Sequence, residues 1–447
     1  MRSPVLYLYH LFNLSQVFRR QWQGPAALRA YQDGCLRRVV ARAHATVPYY
    51  RRLMDRAGVR PKDVRCAADL ARLPITTKGD ILANFPEGIL SSARREGHYR
   101  QSTTSGSSGW RMPVYCDTTQ LALFRLMELR QLWDLGYRPR DLMAYMRPEA
   151  PKGRHFQRLG LFRRAFVSIL EPVERQAEAL LRVRPQVVYV YPSSIYQVAR
   201  ELDGASARGL KLKFILSNSE LLAGEVRAYL EDKFGCRVYD DYSCLEFQAI
   251  GFECRHQRLH QAADNAVVEV VDAAGRPLPP GEPGRLILTA LHNFVMPYLR
   301  YDIGDVGALG REPCACGRGF PVIEGLAGRQ DDFIVAANGE LLNPRVVCRP
   351  FRASPALRQF QILQQADGAV TVRVAPSAQA GKGEAAAQAR EAARGAFPEG
   401  MRVSVEVTDQ IETGAAGKHR AVRSLALAPG AEKDIEPGTA RMMRRGL

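Results

Sequence analysis

The chain has 447 residues, 46% hydrophobic and 24% charged, a composition typical of a soluble folded protein with more than one domain. Its formal charge of +17 suits an anionic nucleotide or thioester carrier, but no basic run is interleaved with aromatic residues, which disfavours a nucleic-acid-binding protein. No apolar run approaches the roughly 18 residues that span a bilayer, and the N-terminal PVLYLYHLF lacks a signal-peptide cleavage site, so we predict a cytoplasmic protein without a transmembrane segment.

The first part of the chain alternates helical and strand-like patterns. Apolar and basic residues recur at helical spacing over 25–60, and 118–135 has the pattern of a helix that is capped by Thr118–Thr119 and stops before Gly136. A helix is also predicted at 223–234. Buried parallel strands are predicted by three compact apolar runs, QVVYVYPSS, LKLKFILSNSE and CRVYDDYS. Strand, helix and strand at this spacing predict a βαβ sheet.

The pattern changes twice further along the chain. Short alternating strands with Gly/Pro turns begin at Ala266 and predict a β-meander or a small barrel. After Arg329 come a hairpin around Asp367–Gly368, an Ala-rich helix at Lys382–Ala396 and the strand MRVSVEV, which indicate a small α+β unit. We therefore predict an α/β protein with a large N-terminal domain at 1–329, a small mobile C-terminal domain at 330–430 and a basic tail at 431–447.

A loop rich in glycine and hydroxyl groups, TTSGSSG, occupies 103–109. Gly106 and Gly109 allow backbone N–H groups to turn toward one concavity, which suits pyrophosphate oxygens. Further donors come from the hydroxyl groups of Thr103, Thr104, Ser105, Ser107 and Ser108. The loop lacks the lysine of a Walker motif, so it does not predict a P-loop NTPase. Taken alone, a Ser/Gly-rich loop is more often a plain flexible connection.

Six further motifs follow this loop in order: SNSELL (217–222), DDYSCLE (240–246), RYDIGD (300–305), CACGR (314–318), GRQDDFIV (328–335) and GAAGKHR (414–420). The order and spacing resemble the adenylate-forming ligases, within them the phenylacetate–coenzyme A ligase and capsular-polysaccharide-biosynthesis branch. The resemblance covers about 30–424. It implies a large AMP-binding domain, a small mobile domain, and a reaction in which ATP activates a carboxylate before a thiol takes the acyl group.

The resemblance implies roles for residues in the central motifs. Glu246 corresponds to the glutamate that helps to hold Mg²⁺, and Tyr242 to the aromatic side chain that packs on adenine. The other nucleotide-binding residues that it implies here are Ser219, Glu220, Asp241 and Ser243. Ser243 stands where the family usually has glycine. From the residues alone, a buried tyrosine, a helix-start glutamate and a simple helix N-cap stay open as alternatives.

Four more positions take implied roles toward the C-terminal end. Asp305 corresponds to the carboxylate that binds the ribose hydroxyls, and two acceptor oxygens suit a vicinal diol. Arg329 corresponds to an arginine that reaches the ribose or phosphate, Asp331 to the domain hinge, and Lys418 to the lysine that completes the adenylation site. Many relatives have lysine soon after the phosphate loop, whereas this chain has Arg111, which offers its charge with a different geometry.

Four residues form the pattern C-x5-H … C-x-C: Cys254, His260, Cys314 and Cys316. Thiolates and an imidazole suit tetrahedral Zn²⁺, and the set resembles the zinc site of several phenylacetate–coenzyme A ligase relatives. His256 is a rival ligand, and free reduced cysteines are the alternative. We predict a structural rather than a catalytic metal.

The leading prediction is an acid–thiol ligase that uses ATP, Mg²⁺ and coenzyme A, with structural Zn²⁺, on a small-molecule carboxylic acid. The expected pocket residues would tolerate an aromatic or medium-chain acid, and an aryl acid is the family-weighted expectation. A homodimer is one alternative for its assembly. A second hypothesis keeps adenylation but changes the acceptor, including adenylyl transfer to a deazaflavin coenzyme, in polysaccharide or secondary-metabolite biosynthesis. The least favoured hypothesis is a non-catalytic, basic, zinc-containing nucleic-acid-binding protein.

Overall fold

The computed structural model describes residues 13–103, 112–151, 157, 159–329, 333–339, 341–342, 344–377, 379–411 and 420–426. Within this part of the chain, no helix is long and apolar enough to cross a membrane. The fold is mixed α/β, as predicted, with one large sheet and a smaller sheet near the C-terminal end.

Helices lie mainly before and between the strands of the large sheet. A helical stretch at 13–20 and two short 3₁₀ turns, Pro61–Asp63 and Ala67–Arg72, accompany the α-helices. The α-helices are α1 (Pro25–Thr46), α2 (Pro48–Arg56), α3 (Lys78–Ala83), α4 (Thr118–Asp134), α5 (Val173–Val183), α6 (Pro192–Glu201), α7 (Gly204–Gly209), α8 (Gly224–Phe234), α9 (Pro344–Ala353) and α10 (Lys382–Ala396).

The strands are short, and most belong to the large sheet. In chain order they are β1 (Tyr99–Thr103), β2 (Pro113–Asp117), β3 (Leu142–Arg147), β4 (Arg163–Ser168), β5 (Val187–Val190), β6 (Phe214–Asn218), β7 (Arg237–Tyr242), β8 (Gly251–Glu253), β9 (Leu259–Gln261), β10 (Ala266–Val271), β11 (Gly284–Ala290), β12 (Tyr301–Leu309), β13 (Val322–Arg329), β14 (Ile334–Val335), β15 (Leu341–Leu342), β16 (Leu357–Gln364), β17 (Val370–Pro376), β18 (Val403–Val407) and β19 (Val422–Ser424).

Eleven of the described strands form the large sheet, in the order β10-β11-β12-β13-β9-β8-β7-β6-β5-β3-β4. Strands β3 to β7 are parallel, which confirms the predicted βαβ pattern. Strand β6 is buried along its whole length, because helices cover both faces of a parallel sheet. The carboxyl ends of parallel strands meet at one edge, where α/β proteins bind their ligands. Residues Arg147, Val190, Asn218 and Tyr242 end their strands at this edge.

Strands β10 to β13 form the predicted antiparallel meander. The meander joins the parallel strands through β9 and β8, so the described strands make one row rather than a separate small barrel. Strands β12 and β7 are four positions apart in this row, about 19 Å in a flat sheet. The hydroxyl of Tyr242 on β7 nevertheless lies 2.6 Å from the carboxylate of Asp305 on β12. The sheet therefore folds over and encloses a groove between these strands.

Helix α4 begins where it was predicted, but its cap differs from the expected threonines. The N-cap residue is Asp117, whose carboxylate accepts a hydrogen bond from the backbone N–H of Gln120 at 2.7 Å. A carboxylate is a stronger acceptor than a hydroxyl group and also suits the positive end of the helix dipole. Gly136 follows the helix with a φ of 99°, as its predicted stop requires.

The C-terminal sheet has the order β18-β17-β16-β19. Its hairpin turns at Gly368, where φ is 81°, and α10 has the predicted bounds and buries a row of small side chains on the sheet. Two contacts join this unit to helices of the large sheet. Arg352 forms an ion pair with Glu225 at 2.8 Å, and Arg200 donates to the carbonyl of Leu357 at 2.6 Å.

Candidate active site

A cavity of about 290 Å³ opens at the carboxyl ends of β6 and β7, between the large sheet and the C-terminal unit. Helix α6 and strand β12 supply further walls. The structure brings six of the predicted nucleotide-binding residues together around this cavity: Ser219, Glu220, Asp241, Tyr242, Ser243 and Asp305. These residues come from three motifs that are up to 86 positions apart in the chain, so only the fold makes them neighbours.

Other predicted positions lie outside the described residues. These are Thr104, Ser105, Gly106, Ser107, Ser108, Gly109, Arg111, Asp331 and Lys418. The structure does describe Thr103, where the predicted phosphate loop begins, and the strand that follows the loop from Pro113 onward. Thr103 ends β1 and pairs with Pro113 of β2, so an antiparallel hairpin holds the two ends together. Arg420, two residues after the predicted lysine, lines the cavity.

The best-defined contact in the cavity joins Tyr242 and Asp305. The phenol hydroxyl donates to the carboxylate oxygen Oδ2 at 2.6 Å, the length of a charge-assisted hydrogen bond. Asp305 also stands opposite Arg329 in the register of β12 and β13. The carboxylate predicted to bind a ribose is thus held by a phenol, and it faces the strand position of the predicted arginine.

The turn after β6 places Ser219 and Glu220 on the cavity wall. Ser219 has a φ of 67°, in the left-handed region that a non-glycine residue rarely adopts, and such strain is concentrated at functional sites. Glu220 accepts hydrogen bonds from the backbone N–H and the hydroxyl of Ser193, at 3.1 and 3.0 Å. Ser193 lies in the first turn of α6, so this carboxylate fixes the helix start beside the cavity.

Glu246 does not line the cavity, unlike most of the predicted nucleotide residues with described side chains. Its charge acts on the thiols of Cys244 and Cys116, whose pKa values are raised first by burial and then by neighbouring carboxylates, to about 12 for Cys116. Cys116 belongs to β2, the strand that follows the phosphate loop. Glu246 therefore lies near enough to β2 for its charge to act on Cys116.

The sequence prediction missed four arginines around the cavity: Arg200, Arg352, Arg358 and Arg420. They come from α6, α9, β16 and the segment before β19, so no spacing in the sequence connects them. The chain has many arginines on helical faces, and a solvated surface was the expected place for them. These four guanidinium groups share the cavity lining with four carboxylates, those of Glu220, Asp240, Asp241 and Asp305, and they offer positive charge to an anionic ligand.

The four predicted metal ligands also meet. Cys254, His260, Cys314 and Cys316 are buried, and their ligand atoms lie within 4.8 Å of one another. The sulfurs of Cys254 and Cys314 are 3.7 Å apart, which is too long for a disulfide. Zn–S bonds of about 2.3 Å at a tetrahedral angle would put two sulfurs about 3.8 Å apart, so the spacing fits a zinc ion.

The histidine of this cluster has a fixed orientation. Nδ1 of His260 lies 2.9 Å from the carbonyl of Phe320, to which it can donate, and Nε2 lies 3.3 Å from the sulfur of Cys316. This arrangement leaves Nε2 as the metal-binding atom, with a backbone carbonyl holding the other side of the ring. The rival His256 is exposed and does not belong to the cluster.

No protein-family model matches the chain. Among characterised proteins, the phenylacetate–coenzyme A ligase of Thermus thermophilus is 31% identical over 357 residues, which cover 76% of this chain and 79% of that protein. The chain belongs to the phenylacetate–coenzyme A ligase family. A second ligase of this name, from Aromatoleum evansii, is 27% identical over 379 residues, covering 79% of this chain and 83% of its own length.

A solved structure of a 2-hydroxyisobutyryl-CoA ligase, in the postadenylation state with its acyl-AMP, has the same fold as this ligase. The TM-score is 0.74 at 22% identity, and the match covers 96% of this chain and 94% of that one. The predicted family, fold class and enzyme class are confirmed, and this family member is an AMP-forming acid–thiol ligase. The capsular-polysaccharide branch of the resemblance stays a prediction.

Proposed function

We propose that this ligase activates a small carboxylic acid with ATP as an acyl-adenylate and then transfers the acyl group to coenzyme A. The observation that carries the proposal is a single cavity lined both by the hydrogen-bonded pair Tyr242 and Asp305 and by the turn at Ser219–Glu220. The aromatic ring of Tyr242 suits adenine, the carboxylate of Asp305 with its two acceptor oxygens suits a ribose diol, and the lining arginines suit phosphates.

In the first step, a carboxylate oxygen of the acid attacks the α-phosphorus of ATP, and the bond from that phosphorus to pyrophosphate breaks. The loop Thr103–Gly109 donates backbone and hydroxyl hydrogens to the phosphates, and Lys418 supplies a positive charge near the α-phosphate. Glu246 and the phosphate oxygens would hold Mg²⁺, which neutralises the charge that develops on the pyrophosphate. The nearness of Glu246 to Cys116 on β2, the strand that follows the phosphate loop, supports this role.

In the second step, the thiolate of coenzyme A attacks the acyl carbonyl carbon, and the bond to AMP breaks. We propose that the unit at 330–430 rotates about Asp331 between the steps, which would remove Lys418 and open a path for the thiol. The contacts of Arg352 with Glu225 and of Arg200 with Leu357 would have to break during this rotation. The same rotation would move Arg352, Arg358 and Arg420, which belong to this unit, away from Arg200.

We also propose that Cys254, His260, Cys314 and Cys316 hold a structural zinc ion. The donor set, the 3.7 Å sulfur spacing and the anchored imidazole support a closed tetrahedral site. The cluster lies between β8, β9 and the loop before β13, so the metal would cross-link these segments near the middle of the large sheet.

A second candidate keeps the adenylation step but replaces coenzyme A with another acceptor. Exchange of ³²P between pyrophosphate and ATP separates the two steps, because it requires only the acid, ATP and Mg²⁺. We expect exchange that depends on a carboxylic acid, and formation of an acyl thioester only when coenzyme A is added. Acid-dependent exchange without any thioester would favour the other acceptor, and transfer of AMP to a coenzyme without acid would overturn the ligase proposal.

A further inference from the structure

A chain of hydrogen bonds runs along the carboxyl edge of the parallel strands and ends at the cavity. Arg147, at the end of β3, donates to the amide oxygen of Asn218 at 2.5 Å. The amide nitrogen of Asn218 donates to the hydroxyl of Tyr189, and that hydroxyl donates to Oδ2 of Asp241 at 3.2 Å. Each group donates a hydrogen bond to the next one. The last acceptor is the carboxyl group of Asp241, which lines the cavity.

Asp241, where these hydrogen bonds end, and Tyr242, which contacts Asp305, are neighbours on β7. Successive side chains of a strand point to opposite faces, so Asp241 and Tyr242 face different ways. Tyr242 reaches Asp305, whereas Asp241 pairs in register with Asn218 and reaches Tyr189. Asp241 nevertheless lines the same cavity as Tyr242 and Asp305, so an acid that is joined to a nucleotide held by those two residues shares this cavity with Asp241.

The guanidinium of Arg147 is buried and holds this arrangement rigidly. It lies over the rings of Tyr189 and Tyr191, at 4.2 and 4.5 Å from their centroids, and donates to the backbone carbonyl of Met146 at 2.6 Å. Because its donors are directed by these contacts, Asn218 and Tyr189 are oriented rather than free to rotate. A carboxyl group held in this way is pre-organised to accept a hydrogen bond from a ligand.

The carboxyl group of Asp241 is buried next to charged and polar side chains. Burial and the negative charge of Glu128 raise the pKa of this carboxyl to about 7, against the opposing effect of Tyr189 and Arg147. The buried side-chain amide of Gln131 also interacts with this carboxyl and opposes the rise of its pKa. A carboxylate can accept several hydrogen bonds. A hydrocarbon packed against Asp241 would therefore leave buried acceptor sites of this carboxylate without partners, which is costly.

Building on the proposed function, we propose that Asp241 accepts a hydrogen bond from a donor group on the substrate. The preferred acid therefore carries a hydroxyl or amino group rather than a plain hydrocarbon chain or ring. Sites that hydrogen-bond a substrate hydroxyl reject analogues that lack it far more strongly than apolar pockets reject a change in size. Tyr189 is the positioning residue of this interaction, because it acts through Asp241 rather than on the acid.

The test compares matched pairs of acids by kcat/KM for AMP formation in the presence of ATP, Mg²⁺ and coenzyme A. Suitable pairs are benzoate with its hydroxy and amino derivatives, phenylacetate with its hydroxy and amino derivatives, and propanoate with lactate. We expect the best donor-bearing acid to exceed its plain partner by at least about tenfold. The isosteric Asp241→Asn keeps an acceptor for Tyr189 but turns an N–H₂ group toward the acid, and it should reduce that ratio by about tenfold.

Two further variants separate recognition from a general structural effect. Tyr189→Phe should lower the ratio less than Asp241→Asn, mainly through KM for the donor-bearing acid. Asp232→Asn changes an exposed carboxylate on α8 and should leave the ratio unchanged. A wild-type preference for plain acids, or the same ratio in Asp241→Asn, would overturn the inference alone. No turnover with any acid would overturn the proposed function and the inference with it.

Discussion

Asp241→Asn should make the protein more stable at neutral and alkaline pH, because the wild-type carboxyl is held in a place that disfavours its charge. Burial and Glu128 raise its pKa from 3.8 to about 7. Between these values the folded protein keeps a proton that the unfolded chain has released. The free energy of unfolding therefore falls as the pH rises from about 4 to about 7, and the loss is complete above that range.

The size of this effect follows from the shift of about three pKa units. At about 1.4 kcal/mol per unit, the ionised carboxyl costs up to about 4 kcal/mol at pH 8, and almost nothing at pH 4. An entropy of unfolding of about 2.1 cal/mol/K per residue gives roughly 0.9 kcal/mol/K for a chain of 447 residues. The asparagine variant should consequently melt up to about 4 °C higher than wild type at pH 8.

Thermal melting of both proteins at several pH values between 4.5 and 8.5 measures this difference. We expect the two melting temperatures to agree at the acidic end and to separate as the pH passes through about 7. Asp232→Asn, at an exposed position, serves as the control and should show no such separation. A constant difference at all pH values, or a variant that is less stable at pH 8, would refute the assignment of a buried, charge-disfavouring site to Asp241.

Three other changes test the nucleotide site and the metal cluster. Tyr242→Phe removes a hydrogen bond to the carboxylate of Asp305 that is worth about 1.5–3 kcal/mol, so KM for ATP in pyrophosphate exchange should rise about tenfold or more, and an unchanged KM would contradict the role of this pair. Lys418→Ala should abolish pyrophosphate exchange yet still convert a chemically prepared acyl-adenylate to its coenzyme A thioester; undiminished exchange would exclude this lysine from the first step. Elemental analysis should show that Cys314→Ser has lost stoichiometric zinc, and this variant should melt at a lower temperature. Cys66→Ser, outside the cluster, should keep the zinc content and the melting temperature of the wild type. Full zinc in Cys314→Ser would exclude the ligand set.

Much of the fold could be predicted because its signals are local. The apolar runs that became β5 to β7, the hairpin at Gly368 and the bounds of α10 follow from periodicity and turn residues within short windows. The cap of α4 was assigned to the wrong residue because a sequence pattern does not show which of several neighbouring acceptors meets the free N–H groups. The folding over of the large sheet depends on contacts between distant strands, and no local pattern contains it.

The candidate site divides in the same way. Six residues around the cavity were predicted through ordered motifs, and the four residues of the candidate metal cluster through their residue types and spacing. The chain of hydrogen bonds from Arg147 to Asp241 was missed, although Asp241 itself was a predicted site residue, since its members lie on four strands and no spacing in the sequence connects them. Glu220, which was expected to line the adenine pocket or to form a helix N-cap, lines the cavity and accepts hydrogen bonds from Ser193 in the first turn of α6, while its role toward adenine stays a prediction.

The central claim, that the acid is activated by direct attack on the α-phosphorus of ATP and then passed to coenzyme A, can be tested by following oxygen. The reaction is run with a carboxylic acid labelled with ¹⁸O in its carboxylate, ATP, Mg²⁺ and coenzyme A, and the products are analysed by mass spectrometry. We predict an acyl-coenzyme A thioester together with AMP that contains one ¹⁸O atom for each turnover. Unlabelled AMP, or label in inorganic phosphate with formation of ADP, would contradict the claim.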